Sequence, residues 1–252
     1  MTRTKISALA VAVLLTAAPA FAAPKLPAYV AAALDDSARP DADKQLDAAR
    51  KPGEMVMFAG IKPGSKVMDL MPGEGYFSRV FAKAVGPKGF VYAYEVTEYD
   101  ALYKGKPQPM AAIAANYPNM GVVHGPINKV VAPELLDVVW TSQNYHDMHD
   151  AFMGPADMKL VDKAVFDALK PGGVFVVLDH AAAPGSGLRD TETLHRIDEA
   201  AVKSEVEAVG FKLVGESKVL RNPADDHTLK VFNPAIRRKT DQFILKFRKP
   251  KK

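Results

Sequence analysis

Two histidines and several other polar side chains fall within one short stretch, residues 142–150, which reads SQNYHDMHD. The stretch follows a continuous apolar run, residues 135–141, of the kind expected for a strand buried on both faces. An imidazole has an unperturbed pKa near neutral, so His146 can remove a proton from a nucleophile. Asp147 can orient that ring, and Asn144 can hold a substrate by hydrogen bonds. We therefore predict His146, Asp147 and Asn144 as catalytic residues.

Three further side chains are candidates for contacting a substrate. Tyr145 and His149 lie in the same stretch, and His180 ends a later apolar run, VFVVLDH. His180 would lie beside the loop if the two strands are neighbours in the sheet. The competing interpretation is a polar loop bonded to itself, with His149 capping the following turn and His180 facing solvent.

The spacing His146-x-x-His149, with carboxylates on both sides, also resembles a set of metal ligands. Zinc sites need a third protein ligand, and His180 is the donor that the sequence suggests for it. Because this ligand set is incomplete, we predict that the protein binds no metal.

A second group of candidates surrounds a glycine-containing turn at residues 71–75. A short apolar strand, KVMDL, precedes the turn, and apolar residues at helical spacing follow it. Gly73 and Gly75 lack a Cβ atom, so the backbone there can bend sharply and approach a ligand closely. Glu95 ends the next predicted strand, where a carboxylate can accept two hydrogen bonds from a ribose. The competing interpretation of Glu95 is an exposed, solvated side chain.

Alternating strands and helices would position these residues. Apolar runs predict seven strands, at 66–70, 90–94, 121–124, 135–141, 174–178, 211–219 and 241–247. Two polar segments, 96–109 and 221–240, are predicted as long loops, the first as an insertion or lid. The alternation predicts an α/β fold, with a mostly parallel, doubly wound sheet and helices on both faces. Ligands bind beyond the carboxyl ends of the strands in such sheets, and the candidate residues fall at those ends.

The segment KVMDLMPGEGYFS resembles the S-adenosylmethionine signature of class I methyltransferases, in which an acid at the end of a strand precedes a Gly-x-Gly-x-Gly turn. Asp69 matches the acid, and Gly73 and Gly75 match the second and third glycines. Met71 stands where the first glycine is usual. The DVVW strand, the LKPGG turn before VFVVLD and a final strand follow in the family's order.

The resemblance extends from about Phe58 to the C terminus. The segments DLMPGEGYFS, QNYHDMHD and DHAAAPGSG are together similar to a subgroup of predicted bacterial methyltransferases that carry an N-terminal signal peptide. The resemblance implies a Rossmann-like sheet of seven strands whose last strand is antiparallel, and S-adenosylmethionine as the cofactor. It further implies methyl transfer to a small-molecule acceptor that the sequence does not identify.

The resemblance also assigns residues to the cofactor. Asp69, Met71, Gly73 and Gly75 would form the cofactor turn, and Glu95 would hold the ribose. A nicotinamide-dependent dehydrogenase is a weaker alternative, because its G-x-G-x-x-G fingerprint requires glycine where this chain has Ser78.

Composition and the N terminus set the context. The 252 residues include 33 basic and 29 acidic side chains, a balance too even to indicate nucleic-acid binding, and cysteine is absent, which excludes disulfides and thiolate ligands. Residues 1–22 combine a basic start, a short apolar run and Ala-Phe-Ala, the pattern of a cleavable signal peptide. We therefore predict a periplasmic or secreted protein with no stable membrane insertion after cleavage. Residues 23–57 would form a helical lead, and residues 58–252 the methyltransferase-like domain.

Export raises a second alternative. Because S-adenosylmethionine is made in the cytoplasm, an exported chain of this kind could be a non-catalytic protein that keeps the pocket for another small ligand.

Overall fold

In a computed structural model of the chain, which describes residues 26–154 and 156–251, seven strands form one sheet in the order β3-β2-β1-β4-β5-β7-β6. The strands are β1 (Lys66–Leu70), β2 (Phe90–Val96), β3 (Met120–Gly125), β4 (Leu136–Ser142), β5 (Leu169–His180), β6 (Lys212–Ser217) and β7 (Gln242–Arg248). β1 to β5 pair in parallel, and β7 lies antiparallel between β5 and β6. The predicted α/β fold and its antiparallel last strand are confirmed.

Nine α-helices accompany the strands in the described ranges. They are α1 (Ala28–Leu34), α2 (Asp41–Lys44), α3 (Asp47–Arg50), α4 (Pro52–Ala59), α5 (Tyr76–Val85), α6 (Met110–Ala114), α7 (Met158–Ala168), α8 (Thr191–Leu194) and α9 (Glu199–Ala208). Short 3₁₀ helices cover Thr97–Tyr103, Ile127–Lys129, His146–His149 and Ala151–Met153. In these described parts of the chain, none of the helices is long and apolar enough to span a membrane.

Alternating side chains of the strands feed two apolar cores, one on each face of the sheet. On one face Trp140 of β4 packs against Phe77 and Phe81 of α5, with ring centroids 4.8 and 5.5 Å apart. Val30 and Met55 of the N-terminal helices share this core. On the other face the strands pack against α7 and α9. The described part of the predicted helical lead therefore packs on the sheet.

Local sequence explains where several helices begin. Lys51 adopts a left-handed conformation, with φ 50°, and Pro52 then occupies the first turn of α4. Proline suits this position because its missing N–H is one that a first turn leaves unpaired in any case. The Asp157 side chain accepts hydrogen bonds from the backbone N–H groups of Lys159 and Leu160 and so caps α7.

Of the two segments predicted as loops, one contains regular structure and the other does not. Residues 96–109 are more ordered than expected, because Thr97–Tyr103 forms a 3₁₀ helix and the Gln108 amide donates to the Val96 carbonyl at 2.8 Å. Residues 221–240, which are all described, contain neither helix nor strand. The predicted signal peptide lies outside the described residues.

Strand order reverses between β1 and β4, which are neighbours in the sheet. From β1 the chain continues outward to β2 and β3, and from β4 it continues outward in the other direction to β5. Asp69 pairs in register with Trp140, and Leu70 with Thr141. The turn after β1 and the loop after β4 therefore leave the sheet side by side. This is the position where doubly wound sheets bind ligands.

A buried polar cluster lies on the opposite side of the β4 loop. The Tyr145 hydroxyl donates to Asp162 of α7 at 2.9 Å and lies 3.1 Å from a Glu205 carboxylate oxygen of α9. Burial raises the pKa of Asp162 to about 8, and the negative charge of Glu205 adds to the increase, while the hydrogen bond from Tyr145 opposes it. Asp162 is therefore protonated in the folded protein at neutral pH.

We expect Asp162 to make stability depend on pH. The ordinary pKa of this carboxyl group is 3.8, so its contribution is fully present below that pH and is lost as the pH rises through about 8. The free energy of unfolding of the wild type should fall with rising pH over this range. The free energy of unfolding of Asp162→Asn should fall less steeply with pH, because the amide of asparagine stays neutral. Chemical denaturation at a series of pH values measures this. Asp167→Asn, an exposed position in the same helix, is the control, and equal slopes for Asp162→Asn and wild type would contradict the prediction.

Candidate active site

The turn after β1 has the backbone geometry that glycine usually supplies, although its first residue is methionine. Met71 has φ 61°, and Gly73 and Gly75 have φ 54° and 73°. A left-handed conformation costs about 1–2 kcal/mol for a residue with a Cβ atom, so other contacts must compensate at Met71. The departure from the family pattern at this position leaves the left-handed conformation in place.

Two hydrogen bonds and a buried side chain hold Met71. Its N–H donates to the Tyr94 carbonyl of β2 at 3.0 Å, and its own carbonyl accepts from the Asn144 amide at 2.7 Å. The Met71 side chain is buried in the core beside α7. Asn144, which the sequence predicts as catalytic, therefore fixes the turn.

The two glycines of the turn differ in what surrounds them. A Cβ atom at Gly75 would lie 2.9 Å from the Met110 sulfur and 3.2 Å from Arg79 Nη1, so this glycine allows close packing. A Cβ atom at Gly73 would meet nothing within 4 Å. Gly73 therefore borders open space, as a residue that faces a ligand must.

Asp69 and Ser78 meet beneath the turn. The Ser78 hydroxyl donates to an Asp69 carboxylate oxygen at 2.6 Å, and both side chains are buried. Burial raises the pKa of Asp69 to about 7, and the two hydrogen bonds from Ser78 limit the increase. Ser78, where a dehydrogenase would carry glycine, thus orients the predicted cofactor acid.

Glu95 is the second-to-last residue of β2, one position before the end of the strand, and one of its oxygens is already occupied. Its Oε1 accepts from the Met110 backbone N–H at 2.8 Å, at the beginning of α6. Burial raises the pKa of Glu95, while the Met110 hydrogen bond lowers it. Its second oxygen, Oε2, is the atom with which it can accept from a ribose.

Three cavities open along the carboxyl ends of the strands. We call them the turn cavity, of about 310 Å³ and bordered by Asp69, Gly73 and Asn144, the histidine cavity, of about 430 Å³ and bordered by His146 and His180, and the arginine cavity, of about 220 Å³. Gln143 borders all three, so they form one continuous cleft. Glu95 is not among the described residues that border them.

Arg50, at the end of α3, reaches the turn cavity and the arginine cavity. Its guanidinium lies over the Tyr76 ring, 4.6 Å from the centroid, and no carboxylate of the described residues forms an ion pair with it. Burial lowers the pKa of Arg50, but the group stays charged at neutral pH. A partly buried cation without an ion-pair partner favours a carboxylate or phosphate ligand.

His146 lies in the wall of the histidine cavity, and both of its ring nitrogens are engaged. Its Nδ1 lies 2.8 Å from Asp179 Oδ1, and its Nε2 lies 3.1 Å from Asp147 Oδ1. Burial by itself lowers the pKa of His146, but the Asp179 and Asp147 carboxylates outweigh it and raise the pKa to about 10. The ring therefore holds its proton at neutral pH, which does not favour the base role predicted from the sequence.

Two other histidines border the same cavity. His180 Nδ1 lies 2.8 Å from the Thr240 hydroxyl, and burial lowers the pKa of this histidine to about 4. His195 Nδ1 lies 3.3 Å from His146 Nε2. Burial lowers the pKa of His195, and the neighbouring charge of His146 lowers it further. The structure thus brings His146, Asp147 and His180 together, and it adds His195.

Tyr145 and His149 lie elsewhere. Tyr145 is fully buried against Asp162 and Glu205, as described above, and His149 Nε2 lies 3.3 Å from Glu205. Neither residue borders the histidine cavity. Their predicted contact with a substrate gains no support from this placement, because both side chains face the α7–α9 side.

Comparisons with known proteins agree with this geometry. No family model matches the chain. The chain is 27% identical over 183 residues to the ubiquinone/menaquinone biosynthesis C-methyltransferase UbiE of Burkholderia mallei. The aligned region covers 69% of this chain and 68% of that protein. Among solved structures, a SAM-dependent methyltransferase from Aquifex aeolicus superimposes with a TM-score of 0.57 at 18% identity, over 84% of this chain and 98% of the other.

A second structure was solved with its ligands. The 1,6-didemethyltoxoflavin-N1-methyltransferase of Burkholderia thailandensis, with bound 1,6-didemethyltoxoflavin and S-adenosylhomocysteine, matches with a TM-score of 0.55 at 17% identity, over 93% of each chain. The chain has the fold of the S-adenosylmethionine-dependent methyltransferases. Its curated relative and both of these structural neighbours are methyltransferases.

On this methyltransferase fold, sequence reasoning missed three residues that border the cleft, Arg50, Gln143 and His195. Gln143 lies within the matched segment QNYHDMHD, whereas Arg50 and His195 lie outside the matched segments. Gln143 and His195 have positive φ angles of 62° and 53°, and Lys51 beside Arg50 has 50°. Left-handed conformations at residues other than glycine often mark functional sites, but no sequence pattern predicts them.

Gly73→Ala should weaken binding of S-adenosylhomocysteine at least tenfold, because the new methyl group would enter the turn cavity and strain the turn. Gly64→Ala is a matched control, since Gly64 also has a left-handed φ, 88°, with nothing within 4 Å of its Cβ position, and lies outside the cleft. Both variants should lose about 1 kcal/mol of stability. Calorimetric titration of the two proteins tests this. Equal affinities would show that Gly73 does not face the ligand.

Proposed function

We propose that the protein is an S-adenosylmethionine-dependent methyltransferase that acts on a small, ring-containing acceptor. The observation that carries the proposal is the left-handed turn from Met71 to Gly75, which opens onto a cavity that also contains the unpaired Arg50 guanidinium. The turn at the end of β1 supplies close backbone approach, and Arg50 supplies positive charge. These are the two features that the amino-acid end of the cofactor requires.

The residues of the turn cavity fit that end of the cofactor. Arg50 would hold its carboxylate, because a guanidinium binds carboxylates in a bidentate manner. The Asp69 carboxyl group, oriented by Ser78, would lie near its ammonium group. Glu95 does not border the turn cavity, so its proposed contact through Oε2 with the ribose hydroxyls, while Oε1 remains on the Met110 N–H, rests on its position near the end of β2.

S-adenosylmethionine supplies an electrophilic methyl group on a sulfonium. The protein's task in such a displacement is alignment, since the nucleophile must approach the methyl carbon in line with the departing sulfur. Gln143 lies where the turn cavity meets the histidine cavity. Its backbone N–H donates to the Leu178 carbonyl at 2.7 Å, which fixes this boundary.

The histidine cavity is the acceptor site in this proposal. Aromatic and apolar side chains form much of its lining, including Tyr99, Leu102, Tyr103, Phe152 and Phe232. Polar groups, among them Asp147 and His180, complete the lining. A small molecule with an aromatic ring and polar substituents matches this lining. The UbiE relative is a C-methyltransferase of ubiquinone and menaquinone biosynthesis, and the structural neighbour from Burkholderia thailandensis binds 1,6-didemethyltoxoflavin.

We also propose export to the periplasm or the medium, on the evidence of residues 1–22. When the full chain is produced in a bacterium, the exported protein should begin at or near Ala23, as determined by N-terminal sequencing. Replacing Arg3 and Lys5 with glutamate should retain the precursor in the cytoplasm. Full-length protein recovered from the cytoplasmic fraction in the wild type would contradict the proposal.

The cofactor assignment can be tested with two ligands, S-adenosylhomocysteine and 5′-methylthioadenosine, which lacks the amino-acid carboxylate. Arg50→Gln should weaken binding of S-adenosylhomocysteine at least tenfold, because it removes a charge-assisted contact to the carboxylate alone. The affinity for 5′-methylthioadenosine should be unchanged. Glu95→Gln should weaken both, since its remaining carbonyl oxygen can keep the Met110 contact but its amide does not accept from a ribose. Calorimetry measures all four affinities.

Arg238→Gln is the control, because Arg238 borders the arginine cavity and not the turn cavity. Failure of the wild type to bind S-adenosylmethionine or S-adenosylhomocysteine would overturn the proposal and favour a binding protein for another ligand. Equal losses of both ligands in Arg50→Gln would remove Arg50 from the carboxylate site.

A further inference from the structure

Three ligand-type atoms converge on the polar wall of the histidine cavity. His146 Nε2 lies 3.1 Å from Asp147 Oδ1 and 3.3 Å from His195 Nδ1, and the latter two atoms are 3.5 Å apart. Metal ions bound by nitrogen and oxygen at the usual bond lengths place neighbouring donor atoms about 3.0–3.4 Å apart. The triangle therefore has nearly the size of one face of a metal coordination sphere.

The surroundings hold these atoms in place from behind. Asp179 accepts from the His146 backbone N–H at 2.8 Å and lies at the same distance from the ring's Nδ1, which leaves Nε2 directed at the triangle. Metal-binding histidines characteristically make such a contact to a carboxylate through their other nitrogen. The Tyr99 hydroxyl donates to Asp147 Oδ2 at 3.0 Å and leaves Oδ1 for the triangle.

His195 reaches the triangle from a strained backbone. Its φ is 53°, a conformation that is uncommon for residues other than glycine and that clusters at functional sites. Its N–H donates to the Thr191 carbonyl at 3.0 Å and ends α8. This turn brings Nδ1 of a residue 49 positions away in sequence to His146.

We propose that His146, Asp147 and His195 bind a divalent first-row metal ion, with zinc or ferrous iron the ions that two imidazoles and one carboxylate suit. The ion would take the place of the proton on His146 Nε2, which would pass to solvent, and the carboxylates of Asp147 and Asp179 would balance its charge. This ligand set replaces the one considered from the sequence, since His149 lies against Glu205 and His180 Nδ1 lies against Thr240. This proposal departs from the expectation, drawn from the sequence, that the protein binds no metal.

All three ligands border the histidine cavity, so one side of the ion faces the cleft. Three protein ligands with an open position are typical of catalytic rather than structural sites. The open position would take water or an oxygen or nitrogen atom of the acceptor. This last assignment depends on the proposed function, whereas metal binding itself does not, because the three ligands lie outside the turn cavity.

The test uses the purified protein after treatment with a chelator. Titration with Zn²⁺ in a calorimeter should show one ion bound per chain, and Co²⁺ should give the visible absorption of an ion with nitrogen and oxygen ligands. His195→Asn and Asp147→Asn should each weaken Zn²⁺ binding at least tenfold. Asparagine tolerates the left-handed conformation of His195 and matches the size of Asp147, so both variants should fold.

His227→Asn is a closely matched control. His227 also has a positive φ, 63°, and its Nε2 lies 3.2 Å from Asp241, outside the triangle. This variant should bind Zn²⁺ as the wild type does. A folded wild type that binds no Zn²⁺, or a His195→Asn variant with wild-type affinity, would overturn the proposal. S-adenosylhomocysteine binding is measured on the same samples, so loss of zinc binding with cofactor binding intact counts against the metal site alone.

Discussion

The hydrogen bond from the Asn144 amide to the Met71 carbonyl, at 2.7 Å, connects the two sides of the cleft. Met71 belongs to the turn after β1, and Asn144 to the loop after β4, so the bond spans the point where strand order reverses. It holds a methionine in a conformation that glycine adopts at lower cost. The shape of the turn cavity and the start of the histidine-bearing loop therefore depend on one another.

The cleft is electrically uneven along its length. Its arginine cavity gathers three guanidinium groups, Arg50, Arg237 and Arg238, whereas the wall at Asp147 and Asp179 is acidic. The arginine cavity therefore favours an anionic group, and the wall at Asp147 favours a cation. Gln143 stands between the ends and carries no charge, so it separates the two regions without adding to either.

The sequence predicted the strands well because their patterns are local. β4 and β5 are apolar over several consecutive residues, which is the pattern of strands covered on both faces. Asp69, Gly73 and Glu95 were predicted as cofactor residues for the same reason, since each lies near the end of a strand or in a turn. Sequence did not determine which way side chains point within the β4 loop. Tyr145 turns to the core, where its hydroxyl donates to Asp162, 17 residues away, and lies 3.1 Å from Glu205, 60 residues away.

Residues without a local pattern escaped prediction. Arg50 and His195 reach the cleft from short helices that precede and follow the matched motifs, and their positions depend on how those helices pack. The Met71 substitution could be noticed from sequence, but its effect could not, because the compensating bond comes from Asn144, 73 residues away. Long-range contacts of this kind decide the site, and periodicity carries no information about them.

The position of β7 constrains how the chain can mature. This strand, the last of the described elements, is bonded on both sides and contributes Phe243, Leu245 and Phe247 to the core. Until it emerges from the ribosome, β5 and β6 have no neighbour between them, and both keep an unpaired edge. Chains that lack β7 therefore cannot complete the sheet, so the pairing of β5 and β6 into one core depends on a strand that follows both of them in the sequence.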